Sequence, residues 1–244
     1  MRPTKQIYAN YTEEDFAVWK LLYNRQMEIL EPLASEAYLK AVNKVNFKAN
    51  EIPDFKKTDS ILAPLTGWGI EVVPNLCPQK EFFEFLSKKK FTATCWLRTM
   101  AQLDYLEEPD MFHDVFAHIP LLTDKAYGDF FLGMSKIALD FIDNPNAIEL
   151  LSRLYLFTIE FGLIHEKGQL KIYGAGIISS KGETHHSVDP KIKKYDFNVE
   201  QIMNTPYRTD IMQDKYFVVD SFEQLYKSLP KVRSCLESKL QTVA

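Results

Sequence analysis

From Leu154 to Ile164 the chain runs Leu-Tyr-Leu-Phe-Thr-Ile-Glu-Phe-Gly-Leu-Ile, almost wholly apolar with one acid, Glu160, in its midst. Wound into a helix, such a run offers that carboxylate no polar face. It belongs in a protein interior, where an ionised acid is costly unless it is paired or holds a metal. A salt bridge to a buried arginine, a helix rotated to expose Glu160, and metal ligation all satisfy that requirement. The run is the longest of its kind and, interrupted by Thr158 and Glu160, falls short of the roughly 18–20 residues of a membrane span. A chain of 244 residues can supply the interior, since at this size roughly 70–75% of the unfolded surface is buried. The apolar fraction of 46% and charged fraction of 25% exclude a disordered or fibrous chain.

Helix signals dominate the rest. Thr12 is placed to cap a helix carrying Phe16, Trp19, Leu22, Tyr23 and Leu30 on one face. Further helices are expected over 35–45, over 54–65, and over 79–88 with Pro78 in the first turn. Thr123 or Asp124 starts another that ends near Ile142. Asn144 or Asn146 caps a long helix expected to run through Leu163, and Pro230 splits the last helix, which begins near Ser221. Short strands are expected at 70–73, 91–97, 170–173 and 216–219, where β-branched and aromatic residues cluster. No regular βαβ alternation and no glycine-rich phosphate loop follow a strand. The fold class is therefore α+β, mainly helical. Nothing marks an internal boundary, so residues 1–244 read as a single domain.

Net charge is −4, from 29 basic against 33 acidic residues, which provides no general pull towards nucleic acid. Three scattered cysteines, Cys77, Cys95 and Cys235, are a poor disulfide framework and suit a reducing compartment. With no apolar leader after Met1, a cytoplasmic location without membrane partners is expected.

His113 and His118 lie in Pro109-Asp110-Met111-Phe112-His113-Asp114-Val115-Phe116-Ala117-His118-Ile119-Pro120. Pro109 and Asp110 suit a helix start, and Pro120 an end near His118. Five residues apart, the two rings would stand about 140° apart on a regular helix. They converge if the helix end is loosened. Two unrelated histidines are the commoner outcome of this spacing alone. With Glu160, a metal would satisfy all three awkward residues together, and two imidazoles with one carboxylate favour non-haem Fe(II) and oxygen chemistry. Structural zinc would need a fourth ligand. His185 and His186 are candidates for such a further ligand, although adjacent histidines usually point in different directions and a polar Gly-Glu-Thr-His-His-Ser stretch is more often surface loop.

Three ordered blocks carry a resemblance. They are Pro109-Asp110-x-x-His113-Asp114-x-x-x-His118-x-Pro120-Leu121, then Thr158-Ile159-Glu160-Phe161-Gly162-Leu163, then Lys171-x-Tyr173-Gly174-Ala175-Gly176-x-x-Ser179-Ser180-x-Gly182-Glu183. Together they closely resemble the biopterin-dependent aromatic amino acid hydroxylases, with the short bacterial, phenylalanine-hydroxylating members nearest. Tyr11-Thr12-x-Glu14-Asp15-x-Ala17-Val18-Trp19-Lys20 also looks like that bacterial group, and the resemblance extends from about Tyr8 to Leu229.

The resemblance implies an iron- and tetrahydrobiopterin-dependent monooxygenase with O₂ as cosubstrate. By position, His113, His118 and Glu160 would be the iron ligands. Phe82, Asp114 and Tyr155 would meet the pterin. Arg98 would pair with the amino acid's carboxylate and be held by Asp110. Leu156 and Phe161 would wall the aromatic pocket, Ser179 would bond a ligand histidine, and Glu183 would support that shell. The small-molecule partners are then the amino acid and the pterin, and the conversion is L-phenylalanine to L-tyrosine. Tryptophan 5-hydroxylation or phenylalanine 3-hydroxylation are alternatives, because Leu156 stands where the family has a large aromatic. Ala117 replaces a glycine; its methyl shifts His118 if the backbone there needs positive φ. His185-His186 also replace a Gln-Tyr-like pair. The family pattern further implies a monomeric catalytic domain with neither an N-terminal regulatory domain nor a C-terminal coiled-coil tail, since Lys239–Ala244 is too short for one. From other classes, a zinc hydrolase with the same three ligands and a non-catalytic amino-acid-binding module are the competing readings.

Overall fold

A computed structural model describes residues 2–104, 106–208 and 211–241. Met1, Tyr105, Thr209, Asp210 and residues 242–244, the last part of the segment read as too short for a coiled coil, lie outside the described residues.

The helix starts fall where short polar side chains can bond free N–H groups. Thr12 caps α1 (Glu13–Leu33), with Asp15 answering from the third position; Ser35 caps α2 (Glu36–Lys44) and Asp54 caps α3 (Phe55–Thr66). β1 (Gly69–Val72) and β2 (Lys90–Ala93) pair in parallel across the crossover helix α4 (Gln79–Ser87). Pro78 is the cap residue of α4 rather than part of its first turn. The segment Phe112–His118 is a π-helix. α5 (Lys125–Asp140) is capped by Asp124, and α6 (Pro145–Tyr155) by Asn144.

After α6 the structure departs from expectation. The helix does not continue through Leu163: it widens into a second π-helical turn, Leu156–Glu160, and gives way to β3 (Gly162–Glu166). Apolar residues flank Glu160 on both sides, so composition alone could not show where the helical period stops. β3 and β4 (Gln169–Ile172) form an antiparallel hairpin. Its loop is Lys167-Gly168, at φ 51° and 76°, the left-handed pair that a two-residue hairpin turn requires.

α7 (Ala175–Ile178) and α8 (Lys181–Val188) follow. The His185-His186 stretch thus belongs to a helix, capped by Ser180, and not to a loop. β5 (Lys193–Asp196), α9 (Val199–Asn204) and β6 (Lys215–Val219) complete a four-stranded sheet of order β4-β3-β6-β5. α10 (Phe222–Lys227) and α11 (Leu229–Gln241) meet at Ser228, two residues before Pro230.

The core is one contiguous apolar cluster, and the first π-helix runs through it. Phe112 and Phe116 stack at 4.6 Å and turn towards α1, where the Trp19 ring lies 5.7 Å from Phe112. The Tyr38 hydroxyl donates to the Phe116 carbonyl at 2.8 Å. Those contacts anchor one side of the π-helix and leave the other for His113 and His118. Among the described residues, no helix is long and apolar enough to cross a membrane.

Candidate metal centre

In a π-helix the hydrogen bond spans five residues, so side chains five apart share a face. That geometry removes the 140° mismatch between His113 and His118. Their Nε2 atoms lie 3.3 Å apart. The second π-turn, closed by Phe161 N–H donating to the Leu156 carbonyl at 2.8 Å, delivers Glu160 to the same point. Its Oε1 is 3.2 Å from His118 Nε2, and its Oε2 is 3.7 Å from His113 Nε2. Ala117 lies within the π-helix without a positive φ: among the described non-glycine residues positive φ is confined to Asn46, Lys89 and Lys167. The extra methyl therefore meets no left-handed backbone strain.

The proton positions can be worked out for His113. The Ser179 hydroxyl donates to the Ala175 carbonyl at 3.0 Å, so its oxygen accepts from His113 Nδ1–H at 2.8 Å. The lone pair of His113 then sits on Nε2 and faces the centre. Burial lowers the His113 pKa to about 4, outweighing the pull of Glu160. Burial alone would raise Glu160, but His118, His113 and the nearby Tyr155 hydroxyl together hold it at about 2. At neutral pH the site thus offers a carboxylate and a neutral imidazole, the forms that bind metals.

Three donors separated by 3.2–3.7 Å fit adjacent positions around one divalent ion, since bonds of about 2.1 Å at right angles set such donors about 3 Å apart. His118 Nδ1 is buried with no partner, and the ring is held by Phe91, 4.8 Å away. Among the described residues, His113, His118 and Glu160 are the one group of this kind. His185 is exposed, and His186 Nε2 bonds the Gln213 carbonyl at 2.9 Å, so neither joins it.

Two cavities meet at the triad, sharing His113 and Glu160. The smaller, about 240 Å³, is walled by Phe82, Phe91 and Tyr155 with Asp114, Thr92 and Thr94. Phe82 meets Tyr155 edge to face at 5.8 Å. Burial pushes the Asp114 carboxyl up to about 7 although it accepts from Thr94 N–H at 2.8 Å and Thr94 O–H at 2.9 Å.

The larger cavity, about 980 Å³, carries Arg98, Leu156, Phe161 and Ser179. Asp110, fully buried, lies behind Arg98 rather than on the wall. It takes Arg98 Nε and Nη2 at 2.9 Å each, and also the His113 backbone N–H at 3.3 Å. Arg98 Nη1 donates to the Leu103 carbonyl at 3.3 Å. Three of the five guanidinium N–H groups are used, leaving one on each terminal nitrogen, the fork that a carboxylate fits. The sequence-predicted residues other than Glu183 therefore line the two cavities or, for Asp110, lie directly behind Arg98.

Glu183 differs in detail. It is buried one turn beyond Ser179 and accepts from Gln213 N–H and Tyr216 O–H, not from a neighbour of His113. Thr94 and the glycines of Gly174-Ala175-Gly176 were missed as site residues. A Cβ on Gly174 would lie 2.4 Å from the Glu160 carbonyl oxygen, and one on Gly176 would lie 2.9 Å from the Phe161 ring. Only their two-residue spacing, beside an acid remote in sequence, hinted at this close approach.

Comparison with known proteins agrees with this geometry. The family model of biopterin-dependent aromatic amino acid hydroxylases matches residues 3–243. The phenylalanine-4-hydroxylase of Chromobacterium violaceum is 42% identical over 217 residues, spanning 88% of this chain and 73% of that protein. That of Ralstonia nicotianae is 42% identical over 223 residues, spanning 91% and 71%. The crystal structure of the Chromobacterium violaceum enzyme with iron(III) and oxidised 7,8-dihydrobiopterin superposes with a TM-score of 0.91 at 39% identity, covering 99% of this chain and 86% of that one.

Proposed function

The chain belongs to the biopterin-dependent aromatic amino acid hydroxylases, and from that membership we propose a phenylalanine 4-monooxygenase in which His113, His118 and Glu160 hold the iron. It converts L-phenylalanine to L-tyrosine with a tetrahydropterin and O₂. The observation that carries the residue assignment is the placement of the triad where an aromatic-walled cavity meets one that contains Arg98. When bound, iron and the reduced pterin supply the electrons and oxygen activation that ring hydroxylation needs.

The protein's own residues bind, orient and insulate. Ser179 keeps the His113 proton on Nδ1, so that Nε2 stays free to ligate. Phe82 and Tyr155 offer aromatic surfaces to a pterin ring, with Asp114 in the lining of the same cavity. Arg98, squared by Asp110, presents its two remaining N–H groups to the amino acid's carboxylate. Leu156 and Phe161 line the same cavity as Arg98 and Glu160 and offer apolar surface to the ring. Because Asp110 also accepts from His113 N–H, the carboxylate anchor and the metal-bearing helix share one support. We further assign the protein to the cytoplasm, in keeping with its three free cysteines, and propose that it acts as a monomer with one catalytic domain.

The test is tyrosine formation from phenylalanine with Fe(II), a tetrahydropterin and O₂, each omitted in turn, alongside metal analysis of Ala variants at positions 113, 118 and 160. Each omission should abolish tyrosine, and each variant should lose iron. A variant that keeps stoichiometric iron and full turnover would remove its residue from the ligand set.

A further inference from the structure

Arg25 and Gln26, neighbours in the middle of α1, take different places: Arg25 lines the larger cavity, and Gln26 lies buried outside its lining. Gln26 is buried and donates through Nε2 to Thr184 Oγ1 on α8 at 2.8 Å. That hydroxyl lies 2.7 Å from both the Ile177 and the Ser180 carbonyls, on either side of Ser179. Arg25 points the other way, to the segment that follows Arg98. Its Nη1 donates to Asp104 Oδ1 at 2.6 Å, and its Nη2 to the Leu103 carbonyl at 3.5 Å. The same carbonyl accepts from Arg98 Nη1 at 3.3 Å. One main-chain oxygen thus sits between two guanidinium groups, and Arg25, Arg98, Leu103 and Asp104 all line the cavity.

Stability alone does not account for Arg25. Its Nε is buried without a partner, which destabilises a fold. Asp104 is 86% exposed, so the ion pair is heavily screened. The contact with structural consequence is the shared carbonyl. We infer that Arg25 is a positioning residue for recognition of the amino acid's carboxylate: it holds the Leu103 carbonyl that orients Arg98, so the two free N–H groups of Arg98 face the cavity. This inference rests on the reading of Arg98 as the carboxylate anchor.

The experiment compares Arg25→Met, Arg25→Lys, Asp104→Ala, Arg98→Met and the double variant Arg25→Met/Arg98→Met in the iron-loaded enzyme. It measures KM for phenylalanine, kcat, KM for the tetrahydropterin, and the unfolding midpoint. Arg25→Met should raise the phenylalanine KM about five- to tenfold, the worth of about one hydrogen bond, with kcat and the pterin KM within about twofold. Arg25→Lys, which keeps a donor, should fall between wild type and Arg25→Met. Asp104→Ala, which removes only the exposed ion pair, should raise the phenylalanine KM less than Arg25→Met does. The double variant should be no worse than Arg98→Met, because both act on one group.

An unchanged phenylalanine KM in Arg25→Met, an Asp104→Ala effect equal to it, or fully additive penalties in the double variant would each overturn the inference. If Arg98→Met itself left the KM unchanged, the anchor reading would fall and this inference with it. A raised KM in Arg98→Met beside a silent Arg25→Met would remove the role of Arg25 alone. Should Arg25→Met not fold, Arg25→Lys carries the same comparison: a raised KM at an unaltered unfolding midpoint supports the role, and an unchanged KM rejects it.

Discussion

Gly174→Ala adds one methyl group directly against the main chain of Glu160. The new Cβ would lie 2.4 Å from the Glu160 carbonyl oxygen, 2.5 Å from Gly162 N and 2.8 Å from the Glu160 carbonyl carbon, whereas real Cβ atoms essentially never come within 3.0 Å. Gly174 has φ −67° and ψ 133°, a conformation open to any residue, so room and not dihedral freedom makes glycine necessary. All three neighbours are main chain and cannot swing aside. The two segments must part by roughly half an ångström or more, against the bond from Gly174 N–H to the Gly162 carbonyl at 3.0 Å. Overpacking of this kind costs about 1–3 kcal/mol. For a chain of this length that lowers the unfolding midpoint by about 2–12 °C. The displaced segment carries Glu160, and disturbing a ligand's support typically costs about 10–100-fold in metal affinity or activity. Calorimetric unfolding, iron content after gel filtration and tyrosine formation read the three effects. Gly182→Ala is the internal control: there the nearest atom is Met212 Sδ at 3.7 Å, and in helix α8 alanine should stabilise by up to about 1 kcal/mol. A Gly174→Ala protein with wild-type midpoint, iron and turnover would refute the reasoning, as would an equal loss in Gly182→Ala.

Burial raises the Glu183 carboxyl above the ordinary glutamate range, more than the hydrogen bonds from Tyr216 and Gln213 lower it. The folded state therefore holds this proton to higher pH than the unfolded chain, and the stability it contributes is full at low pH and lost as pH rises through the folded value. Glu183→Gln should remove that loss, so the variant's unfolding midpoint should gain on wild type as pH rises above the ordinary glutamate value of about 4; parallel curves would reject the assignment. Leu156, nearly buried on the wall of the larger cavity, leaves space that a bulkier ring can use. Leu156→Trp should cut turnover of tryptophan relative to phenylalanine by about tenfold or more, as product analysis of mixed substrates would show; an unchanged ratio would exclude Leu156 as a selector.

Much of this was legible in the chain itself. The caps Thr12, Ser35, Asp54, Asp124 and Asn144 all start the helices expected of them. A cap needs only a side-chain oxygen and an N–H two or three residues on, so its information is local. The apolar run around Glu160 required a buried, satisfied acid, and the family blocks pointed to its partners. The hairpin turn at Lys167-Gly168 was less visible, because lysine is an unusual occupant of a left-handed position.

Residue types, helix starts, the buried acid and the two histidines were set by the sequence alone, because each depends on neighbours within a few positions or on the chemistry of one side chain. Only the tertiary structure decided that Phe112–His118 and Leu156–Glu160 adopt π geometry, which turns a five-residue spacing into a shared face. It also decided that Thr94 grips Asp114, that Asp110 ties Arg98 to His113, and that Gly174 makes room for Glu160. Those contacts join segments 12 to 20 residues apart or, for the helical widening and the glycine, depend on the packing of whole elements. No local period records them, because the energy that selects them comes from surfaces that meet only after the chain has folded.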